Sequence, residues 1–205
     1  AAAGSHDFNP DDQAALVFGH NTDLALTAGT IAFSFCANTV TRFQALMSKD
    51  ATDYGNGGHI TAYLTDSGGL VVRIQSTDTS HYFEVDNAIK AGRDYDFALS
   101  FGAGGAELYL NGARVAVDSE ITVNLAENTE ALMFGATGWS STQGTTDSIH
   151  SYFDGTISNI MAFDTELTGE DIFGTALRSD HAYFDGLAEN YVYARTMDGS
   201  VMISD

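Results

Sequence analysis

The stretch FDGTISNIMAFDTELTGEDI, Phe153 to Ile172, opens as an Asp-Gly turn, continues as a strand and ends as the first turn of a helix. Thr168 stands at the N-cap position, ahead of Gly169, Glu170 and Asp171, whose acids suit the positive end of a helix. Everything before it reads as strand and turn. A single short helical signal near the end of such a chain is a marker of fold.

Working outward, short strand-like runs recur along the chain: ALVFG, TIAFSFCANT, RFQALMS, HITAYLT, LVVRIQST, HYFEVDN, DFALSFG, AELYLNGARVAV and EALMFGA. Gly, Asn and Asp punctuate them, and TDSGGL and GAGGAE have the glycines that tight reversals need. In AELYLN, Leu108 and Leu110 share one face while Glu107, Tyr109 and Asn111 share the other, the period of a half-buried strand. This pattern predicts an all-β, two-sheet antiparallel β-sandwich with one short helix near its C-terminal end. The opening AAAGSH, residues 1–6, reads as a cloning scar; one domain is expected over 7–205, with 176–205 as an additional packed segment. A chain of 205 residues buries roughly 70% of its unfolded surface and needs no covalent staples. The single cysteine, Cys36, lies in a strand-like run and reads as a small buried hydrophobe.

Charge narrows the partners. Eight basic residues stand against 28 acidic ones, for a net charge of -20 and a pI near 4.2. Such a surface repels nucleic-acid phosphates and anionic membranes, attracts cations and stays soluble in salt. No apolar run approaches the ~18 residues of a membrane span, so no membrane insertion is expected.

Three segments resemble laminin-G-like domains of the concanavalin A-like lectin/glucanase superfamily. The first is the quoted stretch, similar to that family's Phe-x-Gly-x-Ile closing turn and following helical turn. The second is DYDFALSFGAGGAELYLNGARVA, Asp94 to Ala116, similar to its Leu-Tyr-x-Asn-Gly hairpin. The third is NTDLALTAGTIAFSFCANT, similar to its early loop and strand. The usual Trp-x-x-Val strand appears as RDYDFALSF, which marks a divergent member. The resemblance implies a concanavalin A-like jelly roll in a secreted or cell-surface protein. It further implies a glycan or surface ligand, a structural Ca²⁺, and possible neighbouring domains in the same polypeptide.

Tracing the strands up and down puts the loop Asp50–His59 and the loop Thr137–Ser148 at one end of the sandwich. The first offers Asp50, Asp53, Tyr54, Asn56 and His59; the second offers the sole tryptophan, Trp139, with Ser140 and Gln143. An aromatic face against a sugar ring, with amides and carboxylates for its hydroxyls, suits a glycan. The competing reading makes Trp139 a plug at the end of the core. For calcium, Asp154 of the closing turn with Asp7, Asp11 or Asp12 would supply hard oxygens, although Asp-Gly also forms turns unaided.

No catalytic residues are assigned. The Glu-x-Asp-x-x-Glu strand of the superfamily's glycosidases is absent, as are the lyase-like Arg-Glu-Leu and Gln-x-His patterns and any Gly-x-Ser-x-Gly elbow. His81 and Tyr82 in SHYFEV would point to opposite faces of a strand, which opposes joint acid–base work. The expectation is a carbohydrate- or ligand-binding module. An adhesive domain of a surface protein and a divergent polysaccharide lyase or hydrolase are the alternatives.

Overall fold

A computed structural model of the chain describes residues 4–53, 58–75 and 79–172, with two strand pieces at 194–195 and 201–202. The strands are β1 (His6–Phe8), β2 (Leu16–Phe18), β3 (Gly29–Ala37), β4 (Gln44–Lys49), β5 (His59–Leu64), β6 (Leu70–Gln75) and β7 (Ser80–Val85). They continue as β8 (Asp94–Gly102), β9 (Gly105–Leu110), β10 (Ala113–Asp118), β11 (Leu132–Phe134), β12 (Gly155–Phe163), β13 (Ala194–Arg195) and β14 (Val201–Met202). The first sheet has the order β1-β12-β3-β8-β9-β10, the second β14-β13-β2-β11-β4-β5-β6-β7. Every described pairing is antiparallel, and the loop 119–131 carries the chain from one sheet to the other. The architecture is the two-sheet β-sandwich that strand alternation predicts.

The alternating apolar residues of β3 and β8 set the register of the first sheet. Phe33 lies opposite Phe97 and Phe35 opposite Tyr95. Their rings stack with centroids 4.6 and 5.5 Å apart, cross-strand pairs that a one-residue slip would turn out of the core. From the second sheet Leu46, Ile60, Ala62, Leu64, Leu70, Val72, Ile74 and Phe83 fill the other half. Phe134 meets Phe33 edge-on at 5.4 Å and ties the two layers together.

The quoted stretch closes this core and then leaves it. Gly155 has φ 153°, and a Cβ there would strike the Cys36 carbonyl oxygen and the Phe153 ring. Only glycine lets β12 approach β3 so closely. A bulge between Ser158 and Met161, with Asn159 at φ 52°, shifts the register. Past β12, Thr30 Oγ1 donates to Thr165 O and accepts from Leu167 N, both at 2.9 Å. That pins the return segment to β3, and Thr168 then caps a helical turn, Gly169–Asp171. Leu167 and Ile172 pack with Ala32, Ala98 and Tyr109 on the outer side of the first sheet. The outer side of the second sheet carries different chemistry.

One buried cation sits beside the crossover. Lys49 is 1% exposed, and its Nζ donates to Asn128 O at 2.9 Å, Asn128 Oδ1 at 3.1 Å and Glu130 O at 2.6 Å. Burial pushes its ammonium down to a pKa of about 8, against the opposing pull of Glu130. The Glu130 carboxylate in turn accepts from Gly144 N at 3.0 and 2.8 Å, so the crossover is fastened to the loop that carries Trp139.

Candidate functional site

Period-2 alternation turns Thr61 and Tyr63 of β5, Arg73 and Gln75 of β6, and Tyr82 and Glu84 of β7 to the outer side of the second sheet, away from the core. The register lines up Thr61, Arg73 and Tyr82 in one row, and Tyr63, Val71 and Glu84 in the next. Asp50 follows β4 and reaches under this surface. Its side chain is wholly buried, yet Oδ2 accepts from both Thr61 Oγ1 and Arg73 Nη2. Oδ1 lies 3.0 Å from His59 Nδ1, near enough for a charge contact but without hydrogen-bond alignment. Burial alone would push the Asp50 carboxyl up; His59, Arg73 and Thr61 outweigh it and hold the carboxyl below its usual range.

Trp139 completes the surface from above. The loop that bears it is anchored by the backbone pairing of Thr137 with His150 and by Thr52 N donating to Ser141 O at 2.9 Å. At Gly138 the backbone passes close to the Met133 methyl and the Asp50 carbonyl, which leaves little room for a side chain. The indole lies 5.4 Å from Phe43, 6.2 Å from Tyr63 and 5.4 Å from His150, with the Arg73 guanidinium 5.4 Å from its centre. Ala51, Asp53, Tyr63, Arg73, Gln75, Tyr82 and Trp139 line an open depression of about 320 Å³. Tyr82, 51% exposed, forms the far wall.

The two loops chosen from the sequence do meet, and Asp50, Asp53, His59 and Trp139 gather around the depression. Asp50 and His59 lie beneath its floor as supports, while Asp53, with φ 62°, lines its edge. Ser140 Oγ is 2.9 Å from His150 Nε2, and Gln143 Nε2 donates to Thr52 O at 3.2 Å, so both brace the loop. Tyr54 and Asn56 lie outside the described residues, as does most of 176–205. Trp139 belongs to the outer surface, which replaces the reading of it as a plug of the core. Sequence reasoning missed Phe43, Tyr63, Arg73, Gln75 and Tyr82. The alternation of VVRIQ and HYFEV carries a signal for Arg73 and Tyr82, but only the strand pairing puts them side by side.

Asp154, the acid of the closing turn considered for calcium, is engaged by protein groups. β1 does pair with β12, setting Asp7 opposite Thr156 beside the closing turn. The Asp154 carboxylate, however, accepts from Asn38 Nδ2 at 2.9 Å through Oδ1 and faces Arg42 at 3.9 Å through Oδ2. Asp11 and Asp12 form a 3₁₀ turn capped by Asn9, whose side chain accepts from Asp11 N. Among the described residues no three His, Cys, Asp or Glu side chains are grouped to hold a metal ion.

The two-sheet antiparallel sandwich defines the concanavalin A-like class of fold. Residues 10–173 match the Laminin_G_3 family model, described as the concanavalin A-like lectin/glucanases superfamily, and the chain belongs to that superfamily. No curated protein matches the chain in sequence. Among solved structures it is similar to the CBM40 module of Ruminococcus gnavus IT-sialidase: 19% identity, 85% of this chain and 99% of that one covered, TM-score 0.61. The same module bound to alpha2,3 sialyllactose aligns at 18% identity over 86% of this chain and all of that one (100%), TM-score 0.61. A native heptameric SAP-like pentraxin from Limulus polyphemus aligns at 15% identity over 93% and 88% of the two chains, TM-score 0.62. At these identities the likeness shows a shared fold.

Proposed function

We propose that the chain is a carbohydrate-binding module whose ligand seats on the outer side of the second sheet, between Trp139, Tyr63 and Tyr82. The observation that carries this reading is the depression itself: aromatic rings at its walls and Arg73 held rigid in its floor by Asp50. Rings supply the apolar contact that a sugar's C–H face seeks, and fixed polar groups orient its hydroxyls. Anchoring of the Trp139 loop means little order has to be gained on binding. Relatives in fold include a CBM40 module bound to sialyllactose, which agrees with a glycan ligand here.

The geometry favours binding over catalysis. Asp53 is the one carboxylate lining the depression among the described residues, because Asp50 is buried beneath it in ion pairs. Glycoside hydrolysis of the usual kind needs two carboxylates flanking the scissile bond. The acidic surface and the resemblance together suit a secreted or cell-surface setting. This reading requires no calcium ion, since the lining groups are rings, an amide, a guanidinium and one carboxylate.

Glycan-array screening of wild type and Trp139→Ala, with and without EDTA, tests the proposal. The expected result is a defined set of bound glycans, lost on Trp139→Ala and indifferent to EDTA. Binding that survives Trp139→Ala unchanged would remove this surface as the site.

A further inference from the structure

We infer that the depression takes a neutral, hydroxyl-bearing sugar and discriminates against sialic and uronic acids. The inference rests on the carbohydrate-binding reading and names the ligand class for the same site. Its basis is how the charges around Trp139 are engaged.

Arg73 is the only cation lining the depression among the described residues, and it is already neutralised. Its Nη2 donates to Asp50, a carboxylate whose side chain has no solvent exposure, so Arg73 is its counter-charge. The guanidinium also lies against the Trp139 ring. A ligand carboxylate would have to compete with a buried aspartate that pays no entropy to stay in place. Arg42, next to Phe43, faces Asp154 and donates to Tyr152 O at 3.3 Å. Lys49 is buried against Asn128 and Glu130. His150, beside Trp139, has its imidazole pushed down by burial and is neutral at neutral pH.

Negative charge, by contrast, is plentiful. Asp53 lines the depression, and Glu84 projects from the same side of β7 as Tyr82. Burial first, then Tyr82 and Glu84, push the Tyr63 phenol up, so it stays a hydroxyl. The whole chain adds a net charge of -20, which repels anions at long range.

The unpartnered groups match a hydroxyl. Gln75, 6% exposed, lines the depression and its Oε1 has no hydrogen-bond partner; Arg73 Nε, two positions away on the same side of β6, has none either. One is an acceptor and the other a donor. A sugar hydroxyl both donates and accepts, so it has the chemistry to satisfy either group. A carboxylate has no proton to give Oε1.

The test is a titration of matched neutral and sialylated glycans, chosen from array hits, at low and high NaCl. The neutral member should bind at least about tenfold more tightly at low salt, the smaller end of what like-charge juxtaposition costs. High salt should narrow that gap by screening the repulsion. Glu84→Gln, at an exposed position that leaves the fold alone, should narrow it too, and Asp50→Asn, which frees Arg73, should narrow it further. Equal or tighter binding of the sialylated member by wild type, lost on Trp139→Ala, overturns the inference while the carbohydrate-binding reading stands. Absence of binding to every glycan of either kind overturns that reading, and this inference with it.

Discussion

Asp50 and Arg73 form an ion pair beneath the outer surface of the second sheet, the carboxylate wholly buried and the guanidinium side chain 19% exposed. Asp50 follows β4 and Arg73 comes from β6, so the pair spans β5, where Thr61 donates to the same carboxylate oxygen. The pair fixes the floor on which Trp139 and Tyr82 stand.

Breaking the pair should cost stability as well as binding. Asp50→Ala leaves the Arg73 guanidinium without its partner, and removal of one member of a buried pair costs about 3–5 kcal/mol. The Asp50 carboxyl is held below its usual range, so its contribution is complete above the unfolded value of about 3.9 and is lost as pH falls through the folded value. Urea denaturation of wild type from neutral pH down to pH 3 should therefore show stability falling at the acid end. In Asp50→Asn the decline should be shallower, and an equal decline in both proteins would remove Asp50 as its source.

Tyr82→Ala separates recognition from folding. The ring is 51% exposed, and substitutions at such positions shift stability by within about 0.5 kcal/mol. Glycan affinity should nonetheless drop by about tenfold, the effect of losing one aromatic wall. Unchanged affinity, measured by calorimetry alongside a thermal melt, would move the ligand off this wall.

Lys49 predicts a signature in alkali. Its folded pKa is lowered to about 8, below the usual lysine value, so its contribution is least favourable below pH 8 and improves as pH rises toward about 10.4. Lys49→Met lacks that rise and also orphans the Asn128 and Glu130 carbonyl oxygens, each lost partner costing about 1–3 kcal/mol. Denaturant titrations at pH 7 and pH 9.5 should show the gap between wild type and variant widening with pH. A constant gap would mean that the amine titrates as an ordinary lysine.

The closing turn should be intolerant of any side chain. Gly155→Ala places a methyl against the Cys36 carbonyl and the Phe153 ring, and overpacking of this kind costs about 1–3 kcal/mol. Asp154→Asn, next to it, keeps an acceptor for Asn38 and should be nearly silent in a thermal melt. A large loss in Asp154→Asn that chelation of wild type reproduces would restore Asp154 as a metal ligand.

Much of this architecture is legible in the sequence. Alternation in DYDFALSF and AELYLN is a local property, because each core strand must bury every second residue. Phe97, Leu99, Leu108 and Leu110 accordingly face inward. Gly155 and the capping residue Thr168 are equally local, since a backbone angle or a capping oxygen acts within a few residues. Such signals identified the sandwich and its closing turn, and drew attention to Trp139 and the loop after β4.

The partners of Trp139 were not legible in the same way. Arg73 reads from the sequence as one outward residue among many, and Asp50 as an exposed loop acid. The pairing of β5 with β6 and β6 with β7 puts Arg73 between Thr61 and Tyr82, and the fold of the loop 137–150 lays the indole beside it. Composition and alternation thus determined which residues face the core, because burial of apolar area is additive along the chain. Tertiary structure alone decided which outward residues meet, because strand register and the path of a loop depend on contacts between residues far apart in sequence.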